Sequence, residues 1–147
     1  MKLCKMIAIS TLIIIGLTGQ SVLADEQKKN PFVGLWEGID PDDGATQLRS
    51  ITRNEDGTFS LVGRASYLNL CGGTDRGVII GTGAVEEGVL KVETTVTCFD
   101  GRPPVMVQAD YTPDRENSTL VEVRSIEMKP QIIFHLTSPQ PEYQMGK

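Results

Sequence analysis

Between Val89 and Thr97, the residues Leu90, Val92, Thr94 and Val96 alternate with Lys91, Glu93, Thr95 and Thr97. A period of two puts the first set on one face of an extended chain and the second set on the other, a separation that a helix cannot make. No stretch shows a helical period, so the chain is restricted to an all-β fold.

Similar runs recur between turn signals. They cover Val33–Ile39, Thr46–Arg53, Thr58–Ser66, Gly77–Val85, Val89–Thr97, Val105–Tyr111, Thr119–Ile126 and Gln131–Thr137. The punctuation is Asp40-Pro41-Asp42-Asp43-Gly44, Asn54-Glu55-Asp56-Gly57, Glu86-Glu87-Gly88, Asp100-Gly101, Pro113 to Ser118 and Lys129-Pro130. Asp, Asn, Gly and Pro at these places are ordinary turn chemistry, and Asp40, Asp42 and Asp43 lack the later bidentate carboxylate of a calcium loop. Short connections predict an antiparallel up-and-down meander, and closing it into a small eight-stranded barrel removes its two edges. The predicted inward sets are Phe59, Leu61, Gly63 and Ala65; Val105, Val107, Ala109 and Tyr111; and Ile132, Phe134 and Leu136, which leaves His135 toward solvent. Glu122 and Arg124 share a face of the seventh run, and that face is assigned to solvent.

Gly34-Leu35-Trp36-Glu37-Gly38 opens the first strand and holds the only Trp. Gly34, Trp36 and Gly38 fall on one face, which places Trp36 inside, Glu37 outside, and the two glycines where they make room for the indole.

Residues 1–24 are expected to be a removable secretory signal: Lys2 and Lys5, an apolar run from Met6 to Leu17, and Val22-Leu23-Ala24 as the cleavage site. The apolar run is well short of the ~20 residues that a span needs, so no membrane insertion is expected. The domain is then 25–137, with a loose tail over 138–147. The leader carries only basic charges, so the remainder is more acidic than the formal −5 of the whole chain. Such a chain, without a Lys/Arg stripe, is repelled by nucleic acid and by anionic membranes. An exported, periplasmic or extracellular location follows.

Cys71 and Cys98 remain after the leader is removed. In a meander whose odd strands run upward, the loop after strand three and the end of strand five both lie at the top. The two cysteines therefore meet there, and an oxidising compartment favours their disulfide over two free thiols. Neither has a second Cys or His at zinc-ligand spacing, and no metal or cofactor is expected.

Gly34-x-Trp36 at the start of an eight-stranded meander resembles the lipocalin and calycin group of ligand-binding barrels. Ala109-Asp110-Tyr111 is similar to part of a second lipocalin signature near the end of strand six. The resemblance implies that Trp36 sits at a closed base and that ligands enter from the opposite end. Arg124 is the nearest counterpart of the lipocalin Arg that packs on this Trp, but its phase with Glu122 points it outward. The single Trp leaves no avidin-like tryptophan cage.

His135 is the only His and has no nucleophile at a recognisable spacing, which is thin support for acid–base or nucleophilic catalysis and leaves a small isomerase or cyclase as a distant third reading. The upper loops are the candidate site. Tyr67, Asn69, Arg76 and Arg102 are the candidate polar contacts and Thr94 and Val96 the candidate wall, with the arginines suited to a carboxylate-bearing ligand. A polar rim over an apolar interior fits a small apolar or amphipathic molecule bound without covalent chemistry. The competing expectation is an interior packed solid, with the loop 67–76 serving as a disulfide-braced wedge against a protein partner such as a secreted hydrolase.

Overall fold

The computed structural model describes residues 30–73, 77–125 and 131–138. The leader, the polar stretch that follows it, Arg76, the Lys129-Pro130 turn and the tail after Ser138 lie outside the described residues. The strands are β1 (Gly34–Ile39), β2 (Thr46–Arg53), β3 (Phe59–Ala65), β4 (Gly77–Glu86), β5 (Val89–Cys98), β6 (Val105–Asp114), β7 (Thr119–Arg124) and β8 (Ile132–Ser138). Each pairs antiparallel with the next, and β8 returns to β1 to close the barrel, so no edge is left unpaired. This is an all-β, up-and-down meander compatible with a lipocalin-like barrel. The one helical feature among the described residues is a 3-10 turn, Asn69–Cys71, in the long loop between β3 and β4.

Alternation decides what faces inward. On β5, Leu90, Val92, Thr94 and Val96 are all buried, and on β3 so are Phe59, Leu61 and Ala65. The inward-facing Ile51, Leu120, Ile132 and Phe134 join them in the core, none more than 1 % exposed. Burying each such side chain contributes about 1.5–3 kcal/mol relative to leaving it in water. The outer face is less uniformly polar than alternation suggests. Val62 pairs with Ile80, Ile80 with Thr95 and Thr95 with Met106, a row across four strands that is exposed at Val62, Ile80 and Met106 and half-buried at Thr95.

The base closes around Trp36, which is 4 % exposed, while Glu37 beside it is exposed. The indole Nε1 donates to the Phe32 carbonyl oxygen at 2.8 Å, which satisfies its only polar atom. Phe32 in turn meets Phe59 edge to face, with ring centroids 5.8 Å apart. Gly34 has a φ of +154°, and a Cβ there would run into Leu136 Cδ1 and press on the Ser138 carbonyl oxygen, so glycine suits this position best.

Most element ends differ from those expected by one to three residues. β1 begins at Gly34, one residue after Val33. β6 runs on through Pro113, beyond its last β5 partner at Tyr111, where the missing N–H breaks no ladder bond with β5. Two residues assigned to the core are exposed: Val105, at 37 %, where β6 begins, and Leu136, at 39 %, beside a register shift where β8 meets β1 at Leu35/Trp36.

Candidate functional site

At the upper end, β3 leads into a loop that a disulfide and several hydrogen bonds hold in place. The Cys71–Cys98 disulfide ties the 3-10 turn to the end of β5, with Cα atoms 5.4 Å apart. Gly72 follows in the left-handed conformation with φ +69°, and its N–H returns to the Asn69 carbonyl oxygen. Arg102 Nη1 donates to the Leu70 carbonyl oxygen at 3.0 Å. Across the mouth, Asn69 Nδ2 donates to Asp43 Oδ2 at 3.0 Å, which links this loop to the β1–β2 turn.

Beneath the loop lies a cavity of about 100 Å³. Its two walls differ in chemistry. Ile79, Val96, Val107 and Ala109, from β4, β5 and β6, form an apolar wall. Gln47 and Arg49 from β2 and Glu122 and Arg124 from β7 form a polar one, with Tyr111 of β6 beside them. Asp43, Tyr67, Asn69 and Leu70 line the mouth and are exposed, so the cavity opens between the loops.

Glu122 is the centre of the polar wall and is 1 % exposed. Arg49 Nε meets its Oε2 at 3.0 Å, the Tyr111 hydroxyl donates to the same oxygen at 2.6 Å, and Arg124 Nε donates to Oε1 at 2.5 Å. Arg49 also reaches the Leu48 and Arg64 carbonyl oxygens and Gln47 Oε1, so every N–H of its guanidinium has an acceptor. It lies 5.3 Å from the centroid of the Phe134 ring, a cation–π distance. On the neighbouring strand Gly63 clears space for it, since a Cβ there would sit 3.1 Å from Arg49 Cδ and Nη1. Arg124 is held differently: Nη1 reaches Asp40 Oδ2 at 3.2 Å and Nε is bound to Glu122, but Nη2 is buried with no partner among the described residues.

These contacts set the protonation states. Burial alone would raise the Glu122 carboxyl, but Arg49, then Arg124, then the Tyr111 hydroxyl outweigh it and hold the group well below the usual carboxylate range. Burial pushes the Tyr111 phenol upward, and the Glu122 charge pushes it further. Burial works against the Arg49 cation, but Glu122 overcomes it, so Arg49 stays charged. At neutral pH the wall therefore carries an ionised carboxylate and a protonated phenol.

Four of the six candidate ligand contacts, Tyr67, Asn69, Thr94 and Val96, line this cavity. The Thr94 hydroxyl is already committed to the Val107 carbonyl oxygen at 2.6 Å. Arg102 is not in the cavity wall; it pairs with Asp100 at the surface and braces Leu70. Arg76 lies outside the described residues. The expectation that Glu122 and Arg124 face solvent is overturned. Tyr111 pairs with Glu122 and Ala109 with Arg124 across the β6–β7 ladder, so both follow their inward partners. Sequence reasoning also missed Gln47 and Arg49. Their signal was Ile51, in phase with both and wholly buried.

Nothing in the families of known proteins, the curated proteins or the solved structures matches this chain. Among the described residues, no group of three or more His, Cys, Asp or Glu is placed to hold a metal. No helix among them is long and apolar enough to cross a membrane. A larger hollow of about 810 Å³ lies between the β2–β3 turn, at Asn54 and Asp56, and residues of β4, β5 and β6 such as Glu86, Lys91 and Asp110. It is an open groove crossed by the exposed Lys91–Glu86 pair, and a surface pair of this kind holds a shape only weakly.

Proposed function

We propose that the protein is an exported, lipocalin-like barrel that binds one small amphipathic molecule, without covalent chemistry, in its upper cavity. The observation that carries this reading is the cavity's division into an apolar wall and a hydrogen-bonding wall beneath an opening between loops. Ligand sites commonly have this composition: mostly apolar lining and a few converging polar groups. The cavity is small, so the molecule, or the part that enters, is small as well. A ~150 Å³ apolar cavity takes benzene, which sets roughly four to six heavy atoms as the load here. The protonation states support binding over proton transfer, because Glu122 is too weak a base and Tyr111 too weak an acid to exchange protons near neutral pH. Export is supported by the leader-like first 24 residues together with the disulfide.

A second reading has one observation in its favour. Phe99, 68 % exposed, and Tyr67 and Leu70 stand around the disulfide at the top of the barrel, an apolar tip suited to a protein partner. Native mass spectrometry of the protein isolated from its own host separates the two. Bound mass of small-molecule size supports the ligand reading. A co-purifying protein released by Phe99→Ser, with no small mass retained, would replace it.

A further inference from the structure

The polar wall is almost fully satisfied from within. Arg49 has an acceptor for each N–H, Glu122 accepts four hydrogen bonds from Arg49, Tyr111 and Arg124, and the Thr94 hydroxyl is bound to the backbone. The exception is Arg124, a residue of the cavity lining whose Nη2 is buried and left without a partner among the described residues. A buried donor of this kind favours a ligand that brings an acceptor oxygen.

Charge decides what kind of oxygen. The cavity is lined by two cations, Arg49 and Arg124, and three carboxylates, Asp40, Asp43 and Glu122. Arg49 is neutralised by Glu122, Arg124 by Glu122 and Asp40, and Asp43 stands at the mouth with Asn69. An anionic ligand would lose its hydration and enter a site that already holds an excess of negative charge. A neutral carbonyl meets the free N–H without that cost, and its aliphatic body lies against Val96, Val107 and Ile79. Resting on the ligand-binding reading above, we propose that the site selects a small neutral carbonyl compound, an amide or ketone with a short aliphatic body, and that Arg124 Nη2 orients it. This departs from the carboxylate-bearing ligand expected from Arg76 and Arg102.

The test compares butanamide with butanoate, matched in length and differing in charge. Side-chain resonances of labelled arginine and methyl resonances of valine are followed at pH 7 in the full-length mature protein. Butanamide should give saturable shifts at Arg124, Val96 and Val107, with butanoate weaker by about tenfold or more. Arg124→Met should abolish the butanamide response while Trp36 emission shows the fold intact. Should that variant not fold, Asp43→Asn serves instead: this exposed change evens the charge count and should narrow the preference for butanamide. Equal or tighter binding of butanoate, or an Asp43→Asn preference identical to that of the wild type, would overturn the inference and leave the ligand reading standing. Absence of saturable shifts with either probe would overturn both.

Discussion

Glu122 shows how a single buried residue can carry both fold and site. It joins β2, β6 and β7 through Arg49, Tyr111 and Arg124, and removing its charge leaves Arg49 buried and uncompensated. Glu122→Gln is expected to destabilise the barrel by about 3–5 kcal/mol, measured by denaturant unfolding. A loss below about 1 kcal/mol would show that the pair is not what holds these strands in register. The pH dependence follows from the same contacts. The folded carboxyl titrates below its ordinary 4.5, so its stabilisation is complete above that value and is lost as pH falls from there toward strong acid. Wild-type unfolding free energy should decline with acid below about pH 4.5, and the Gln variant should lack that component of the slope. At the base, Trp36→Ala should cost about 3–5 kcal/mol, and the wild-type emission should be blue-shifted and resist acrylamide. Freely quenched, red-shifted emission would contradict the buried indole.

At the scale of elements, the strands and most of their faces were legible in the sequence, while the polar wall was not. β3 and β5 each alternate two sets of residues, and apart from Val62 of β3 the large apolar side chains lie on the inner face or at the half-buried start of β5. The meeting of Cys71 with Cys98 was also legible, because strand count alone places both at one end. β2 and β7 misled because they bring charge inward. The rule that a carboxylate belongs outside fails once an arginine 73 positions away in sequence is available to neutralise it. That pairing belongs to the closed barrel and to neither strand alone, so local periodicity could not reveal it. Tyr111 held the nearest hint, since a phenol in phase with Val107 and Ala109 must find a buried acceptor. The disulfide spans 27 positions, and opening it should cost about 3–4 kcal/mol on the chain-entropy account, read as a fall in melting temperature on reduction. Unchanged melting after complete reduction, verified by a mass gain of two hydrogens, would contradict its role as a brace.

On the scale of the whole molecule, the barrel divides into a filled base and a partly open top. Phe32, Trp36, Phe59 and Phe134 occupy the lower interior, and the network around Glu122 separates them from the cavity beneath the loops. That division yields the central claim, that the upper cavity alone is the binding site. The most direct measurement is a methyl resonance titration of the labelled protein with butanamide. Ile79, Val96 and Val107 at the cavity wall should shift together along one saturable isotherm, while Leu90, Leu120 and Ile132 in the filled interior stay in place. Shifts confined to the base or to the outer row of Val62 and Ile80, or none that saturate, would contradict the account.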